Sequence, residues 1–227
     1  MPICHEKRFV FLHVPKTAGV SVKRGLRRAG LHFEFDRGDT IWPRLQAHPR
    51  NGELIRKLKT VYPMNTIAGF AEPHLPASVL YDLAVPEARS YFSFAFVRNP
   101  WDVVVSTYFY WQKVFAAQAE LGRNDPDHAY ALSRFSFSEF VRVYPMFGSD
   151  LMSSLEDENG RLPDFIGRYE TVAADYAEIC RRIGVDATLD HENATPHAPY
   201  RDYYTPETRA VVGNFFARDI EHFGYTF

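Results

Sequence analysis

Cysteine is scarce in this sequence, and its two cysteines, Cys4 and Cys180, lie far apart in the chain. No CxxC pair or Cys/His cluster accompanies them, which excludes a disulfide framework and a structural zinc site as organising features. The nine histidines are scattered and show no HExxH spacing. We therefore expect a chain that folds through its own core and holds no metal.

An excess of positive charge and a long apolar run are also missing. Lysine and arginine together number 26 against 28 acidic residues, for a net charge of -2. A non-specific nucleic-acid binder is normally basic, so this class is disfavoured and any anion site must be local. No apolar run approaches the roughly 18 residues of a membrane-spanning helix, and no signal-peptide core follows Met1. These absences predict a cytoplasmic protein without a transmembrane segment.

The 227 residues are 46% hydrophobic and 15% aromatic, enough for a substantial core. Short runs of β-forming residues at 9–14, 91–97 and 165–169 predict strands, and amphipathic stretches between and after them predict helices. We find no internal repeat and no linker. This alternation predicts one α/β domain over 1–227, with a mostly parallel central sheet flanked by helices.

Two C-terminal helices carry boundary signals. Thr171 is expected to cap a helix over 172–183, and Gly184 is expected to end it. Thr205 and Pro206 suit the N-cap and first position of a final helix. Its apolar stripe continues through Phe216 to residue 220, which predicts a single helix.

The first strand leads into a short loop that suits an anion. Pro15 stops the ladder, and a helix is expected to begin at Ser21. Between them lie Lys16, Thr17, Ala18 and Gly19. A strand end, an ammonium and a helix N-terminus at one point favour a phosphate or sulfate. An ordinary strand–turn–helix with a surface lysine remains an alternative.

A second cation follows the strand at 91–97. That strand ends at Arg98, Pro100 suits the first turn of the next helix, and Ser106 lies roughly two turns into it. In open α/β sheets, ligands bind beyond the carboxyl ends of the strands, so Lys16 and Arg98 are expected at one crevice. A sheet-end salt bridge for Arg98 and a simple helix contact for Ser106 remain open.

Four stretches together resemble one enzyme family. VPKTAGVS at 14–21 resembles the 5′-phosphosulfate loop of sulfotransferases that use 3′-phosphoadenosine 5′-phosphosulfate (PAPS), and FAFVRNPWDVVVSTYFYW at 94–111 resembles their 3′-phosphate segment. FIGRYETVAADY at 165–176 and the C-terminal stretch from Asn193 are similar to the carbohydrate-type sulfotransferases of family 2. The first loop is no Walker A motif, because it lacks GxxxxGK[ST]. The resemblance implies a P-loop-like fold without nucleoside triphosphate hydrolysis.

The resemblance also implies an activity, namely transfer of a sulfuryl group from PAPS to an acceptor hydroxyl or amine, with release of PAP. Lys16 would neutralise the bridging oxygen as the S–O bond breaks. Tyr200 or Tyr203 could stack on adenine. Arg168 is a candidate for the donor site, and an ion pair with Glu170 or Asp175 is an equal alternative for it. The donor-binding residues implied are Pro15, Lys16, Thr17, Ala18, Gly19, Val20, Ser21, Arg98, Ser106, Arg168, Tyr200 and Arg201.

The general base departs from the family pattern. Many members carry Gly-His after the middle strand, expected here at 66–71, but this chain has Gly69 and Phe70. The base must then come from elsewhere, or the acceptor needs less help. His74 is the first candidate because its ordinary pKa suits proton transfer near neutrality, and Glu72 is the second. His74 in a plain Pro-flanked turn remains an alternative, and His13 is expected to be a hydrogen-bonded structural residue.

The acceptor is left open by the sequence. The resemblance favours a sugar hydroxyl on a glycan or glycolipid, and a hydroxylated small molecule is equally compatible with a cytosolic chain. Two other functions compete with sulfuryl transfer. A non-catalytic module that binds PAP or a sulfated glycan would need no general base, and a P-loop phosphotransferase would depend on ATP and Mg²⁺.

Overall fold

The computed structural model describes residues 2–35, 38–62, 74–120, 134–146, 148–189 and 197–227. Its strands are β1 (Ile3–Cys4), β2 (Phe9–Leu12), β3 (Phe92–Val97) and β4 (Phe165–Arg168). The α-helices are α1 (Gly19–Arg28), α2 (Gly38–Ala47), α3 (Asn51–Val61), α4 (Ala77–Leu83), α5 (Pro100–Glu120), α6 (Phe137–Val143), α7 (Leu151–Leu155), α8 (Val172–Ile183), α9 (Pro206–Phe215) and α10 (Ala217–Phe223). Short 3₁₀ turns are Pro86–Ser90, Tyr144–Met146, Tyr169–Thr171 and Tyr200–Tyr203.

The chain divides into two compact units. The first, called here the sheet unit, comprises Met1–Arg98 and Gly148–Asn193. The second, called the helical unit, comprises Asn99–Phe147 and Ala194–Phe227. The boundary between Arg98 and Asn99 falls one residue after β3. It therefore divides the predicted 3′-phosphate segment, 94–111, between the two units.

The sheet has the order β1-β2-β3-β4. β1 is antiparallel to β2, whereas β2, β3 and β4 run parallel. Leu12 lies opposite Ala95, and Val97 lies opposite Arg168, so the carboxyl ends of the three parallel strands share one edge. The structure confirms the predicted α/β fold with a mostly parallel sheet.

The core of the sheet unit forms where helices cover this sheet. Phe11 and Phe94 stack with ring centroids 4.9 Å apart, and Leu26 of α1 and Ile179 of α8 are fully buried with them. Each such side chain contributes about 1.5–3 kcal/mol through burial. A Cβ at Gly25 would lie 2.5 Å from the Tyr176 hydroxyl, so a glycine is needed where α1 meets α8.

The helical unit is held by aromatic packing and by hydrogen bonds to main-chain carbonyls. The indole N–H of Trp101 donates to the Arg209 carbonyl at 3.0 Å, and the Tyr204 hydroxyl donates to the Trp101 carbonyl at 2.9 Å. Thr205 caps α9 by accepting from the N–H of Thr208. The predicted start of this helix is confirmed, but the single helix expected to its end breaks at Phe216, whose N–H donates to the Asn214 and Val212 carbonyls.

The ends of α1 and α8 differ from the predicted ends only in detail. α1 begins at Gly19, two residues before the expected Ser21. Thr171 occupies the N-cap position of α8, but its hydroxyl donates to the Asp175 carboxylate at 2.6 Å instead of capping the helix. Gly184 ends α8 in a left-handed conformation, as expected. The predicted strand at 66–71 lies outside the described residues.

Among the described helices, none combines the length and the apolar character that crossing a membrane would require.

Candidate functional site

The loop between β2 and α1 adopts a strained backbone. Lys16 and Ala18 both have left-handed φ angles, 65° and 71°, although neither is glycine. Such residues typically cost about 1–3 kcal/mol and persist where the surroundings impose them. Alternation of left- and right-handed residues before a helix forms a concave array of N–H groups that suits an anion. The first N–H groups of α1 lack intrahelical acceptors, and the N-cap residue, Ala18, has no side-chain oxygen that could accept from them.

Two hydroxyl residues of the predicted donor loop are buried. The Thr17 hydroxyl donates to the Val14 carbonyl at 3.0 Å, so its proton closes the loop on itself. Ser21 is buried in the first turn of α1. Backbone N–H groups are therefore better placed than the Thr17 hydroxyl to serve as donors to an anion.

Arg98 joins this loop to the neighbouring strands. It follows β3, is only 6% exposed, and its Nη1 donates to the Lys16 carbonyl at 3.2 Å. Its guanidinium carbon lies 3.9 Å from the ring centre of Tyr169, which follows β4. A cation over an aromatic face is held by the ring quadrupole. The structure thus brings Lys16 and Arg98 together, as predicted, and adds Tyr169.

Tyr169 was missed by the sequence analysis, although the sequence carried a signal for it. Ligands bind beyond the carboxyl ends of parallel strands, which pointed to Lys16 and Arg98. The same reasoning applies to β4. The residue directly after β4 is Tyr169.

Arg168 is the last residue of β4, and its contact with Asp175 runs through the main chain. Its backbone N–H donates to the Asp175 carboxylate at 2.8 Å, and the Thr171 hydroxyl donates to the same oxygen. Asp175 therefore organises the turn after β4. A donor-binding role for Arg168 stays a prediction.

His74 is held by the strand end before the loop. Its Nδ1 lies 2.9 Å from the His13 carbonyl oxygen. Because a carbonyl only accepts, Nδ1 must carry the proton, and in the neutral ring Nε2 carries the lone pair. Burial lowers the pKa of His74 from 6.5 to about 4, and the charges of Lys23 and Lys16 act in the same direction. His74 is therefore neutral at pH 7, with its proton on Nδ1 and its lone pair on Nε2.

The His13 ring contacts both the loop, at Gly19, and the ring of His74. Its side chain is 3% exposed, and burial holds its pKa well below the ordinary value. Its ring centroid is 4.6 Å from that of His74, in an edge-on arrangement. A Cβ at Gly19 would overlap this ring, with His13 Cγ only 2.8 Å away. The other base candidate, Glu72, lies with Phe70 outside the described residues.

Comparison with known proteins relates this chain to a family. Residues 1–226 match a family described as the sulfotransferase family. This chain belongs to the sulfotransferase family. A protein from Archaeoglobus fulgidus, described only as uncharacterized, is 31% identical over 103 residues, which cover 44% of this chain and 73% of the relative.

Three further predicted donor residues of this sulfotransferase, Ser106, Tyr200 and Arg201, lie in the helical unit. Ser106 is buried within α5 at 4% exposure. The side-chain amide of Asn99 donates to the Tyr200 hydroxyl at 3.3 Å and to the Thr226 carbonyl at 2.9 Å. The Arg201 guanidinium lies 4.8 Å from the ring centre of Tyr200. Roles for these residues in donor binding stay predictions.

The sulfotransferase also carries a cavity of about 470 Å³ within the helical unit. The residues that line it are Trp101, Tyr204, Thr205, Pro206, Arg209, Ala210, Gly213, Asn214 and Phe227. None of the predicted donor or base residues belongs to this lining. Within the described ranges, no group of three or more histidine, cysteine or acidic side chains could hold a metal ion.

Proposed function

We propose that this sulfotransferase transfers the sulfuryl group of PAPS to a hydroxyl or amine of a glycan, glycolipid or small-molecule acceptor and releases PAP. The observation that carries the proposal is the hydrogen bond from Arg98 to the Lys16 carbonyl at the carboxyl edge of the sheet. It places a guanidinium against a left-handed loop at the N-terminus of α1. PAPS carries a phosphosulfate on its 5′ side and a second phosphate at 3′, which suits a loop and a separate arginine.

The residues present fit the charge changes of sulfuryl transfer. The acceptor oxygen or nitrogen bonds to sulfur while the bond from sulfur to the bridging oxygen breaks, and PAP leaves with the electron pair of that bond. Negative charge therefore grows on the bridging oxygen, where Lys16 would stabilise it. Positioning and electrostatic stabilisation are expected to dominate catalysis, by analogy with phosphoryl transfer.

His74 would take the acceptor proton at Nε2. The bond from its Nδ1 to the His13 carbonyl sets the tautomer that this role requires. A pKa of about 4 leaves the ring neutral at pH 7 but makes it a weak base. An anionic donor beside Lys16 would offset the positive charge that lowers this pKa, so the basicity of His74 should rise when the donor is bound.

Calorimetric titration with PAP and with ATP·Mg²⁺ tests the donor site. We expect micromolar PAP binding by the wild-type protein, weaker binding by Lys16→Ala and Arg98→Ala, and little response to ATP·Mg²⁺. Lys59→Ala and Arg142→Ala, at exposed positions, are the matched controls for a lost positive charge. Tight ATP·Mg²⁺ binding without a preference for PAP would favour the phosphotransferase instead.

Turnover separates an enzyme from a binding module. Sulfate-labelled PAPS is incubated with glycan, glycolipid and small-molecule acceptors, and labelled product is measured. Transfer that is lost in Lys16→Ala supports the proposal. PAP binding without transfer to any of these acceptors would favour the non-catalytic module.

A further inference from the structure

His13 contacts both parts of the proposed site. Its imidazole lies against Gly19 in the first turn of α1, and its ring and carbonyl both contact His74. We propose that His13 is a positioning residue that holds the anion loop and the base in a fixed relation. This inference rests on the proposed function and deepens it, because it names the residue that couples donor binding to acceptor activation.

The contact with the loop depends on the missing side chain at Gly19. Any β-carbon there would overlap the imidazole, so the ring packs directly against the backbone of the first helical turn. The preceding residue, Ala18, has the left-handed φ of 71° that turns the chain into α1. A shift of the His13 ring would therefore move the backbone that is proposed to bind the 5′ side of the donor.

The contact with His74 involves two different parts of His13. The main-chain carbonyl accepts from Nδ1 at 2.9 Å, and the side-chain ring meets the His74 ring at 4.6 Å and 64°. Tyr62 lies on His74 as well, with ring centroids 5.9 Å apart. The carbonyl selects the tautomer of His74, while the His13 and Tyr62 rings limit its rotation.

The position of His13 in the core explains how one ring can serve both contacts. It stacks on Phe11 of β2 with ring centroids 5.6 Å apart, and Phe11 stacks in turn on Phe94 of β3. The imidazole is therefore fixed by the parallel strands rather than by the loop. The sheet acts as a rigid support from which both the loop and His74 are oriented.

A double-mutant cycle on His13 and Gly19 tests the coupling. Gly19→Ala alone should weaken PAP binding roughly tenfold, because the new methyl group forces the His13 ring and the loop apart. His13→Ala removes the obstacle, so the double variant should recover much of the donor affinity that Gly19→Ala loses. It should not recover kcat, because the His74 ring loses its neighbour. Additive effects on PAP affinity would overturn the proposal.

A pH profile separates positioning from a purely structural role. In His13→Ala, the acid limb of kcat/KM should move upwards, since His74 becomes more exposed to water. His13→Phe, which keeps a ring at this place and remains usable if His13→Ala does not fold, should retain donor affinity and much of kcat. A lower melting temperature with an unchanged acid limb and unchanged PAP affinity would assign His13 to the core alone. Failure of the wild-type protein to bind PAP would reject the proposed function itself, and is measured first.

Discussion

The two edges of the parallel sheet are built from different chemistry. At the amino edge, the Asp164 carboxylate accepts from the N–H and hydroxyl of Ser93, both at 2.8 Å, and from Arg161 at 2.7 Å. At the carboxyl edge, Arg98 donates to the Lys16 carbonyl at 3.2 Å and His74 donates to the His13 carbonyl at 2.9 Å. A carbonyl orients a donor without adding a charge, whereas a carboxylate also brings a negative charge to its donors.

This difference separates stability from function. The amino edge satisfies a carboxylate with three donors, and these bonds lower the pKa of Asp164. The carboxyl edge gathers Lys16 and Arg98 around a strained loop, a combination with little value for folding alone. We therefore expect loss of Lys16 or Arg98 at the carboxyl edge to act on donor binding and turnover, and loss of Asp164 at the amino edge to act on stability.

Lys16→Ala should give the largest effect. Loss of the ammonium beside the bridging oxygen removes the main stabilisation of charge in the transition state, and kcat should fall by about 10³-fold. The measurement is the rate of labelled-sulfate transfer at saturating PAPS. Lys59→Ala should be unaffected. A kcat for Lys16→Ala within a few fold of the wild type would place the reacting atoms elsewhere.

His74→Ala should lower kcat by about 10²-fold, the lower end of the range for a lost general base. The pH profile is the sharper measurement. Because the neutral form accepts the proton and the pKa is lowered to about 4, kcat/KM should stay high down to pH 5 and fall only below it. An acid limb near 6.5 that persists in His74→Ala would assign the base to another residue.

Arg98→Ala should weaken PAP binding roughly 10- to 100-fold, because each hydrogen bond to a charged group contributes about 1.5–3 kcal/mol. Arg98→Lys keeps the charge but loses the planar guanidinium that lies over Tyr169, so it should recover only part of the affinity. Calorimetry measures both variants. Equal affinities in Arg98→Ala and Arg142→Ala would remove Arg98 from the donor site.

Much of the carboxyl edge could be predicted from local sequence. The apolar runs before Lys16 and Arg98 marked two strand ends, and parallel strands bring such ends together. The Thr205–Pro206 start of α9 followed from ordinary capping chemistry. These features depend on residues within a few positions of one another, which is why a single sequence reveals them.

The remaining features depend on contacts between distant residues. No sequence signal next to Ala18 predicts its left-handed backbone conformation, because the surrounding fold imposes it. The close packing of the His13 ring on Gly19 arises only after strand and helix have packed, so the sequence predicted for His13 a structural role alone. The break at Phe216 divides an apolar stripe that is continuous along the sequence.

Acid should lower the stability of the folded protein through His74 and His13, which lie at the carboxyl edge. His74 has a folded-state pKa of about 4, below the ordinary 6.5, so the unfolded chain binds the proton first as the pH falls. The free energy of unfolding should therefore fall by only on the order of 2 kcal/mol between pH 6.5 and pH 4, because solvent screens the partly exposed His74 ring. His13, whose pKa is also lowered, acts in the same direction. Urea unfolding at several pH values measures the slope, and His74→Phe should flatten it; an equal slope in that variant would contradict this origin.

Asp164→Asn should give the smallest effect and tests the other side of the comparison. The amide keeps one acceptor for Ser93 but loses the ion pair with Arg161, which is partly exposed and therefore screened. The free energy of unfolding should fall by about 1 kcal/mol at pH 7. Because the pKa of Asp164 is lowered below 3.8 in the folded state, the unfolded wild-type chain binds the proton first as the pH falls below 3.8, so the deficit should shrink there and vanish once the folded carboxylate is protonated as well. PAP affinity should be unchanged, since the carboxylate acts at the amino edge; a loss of affinity comparable to that of Arg98→Ala would show that the two edges are coupled through the sheet.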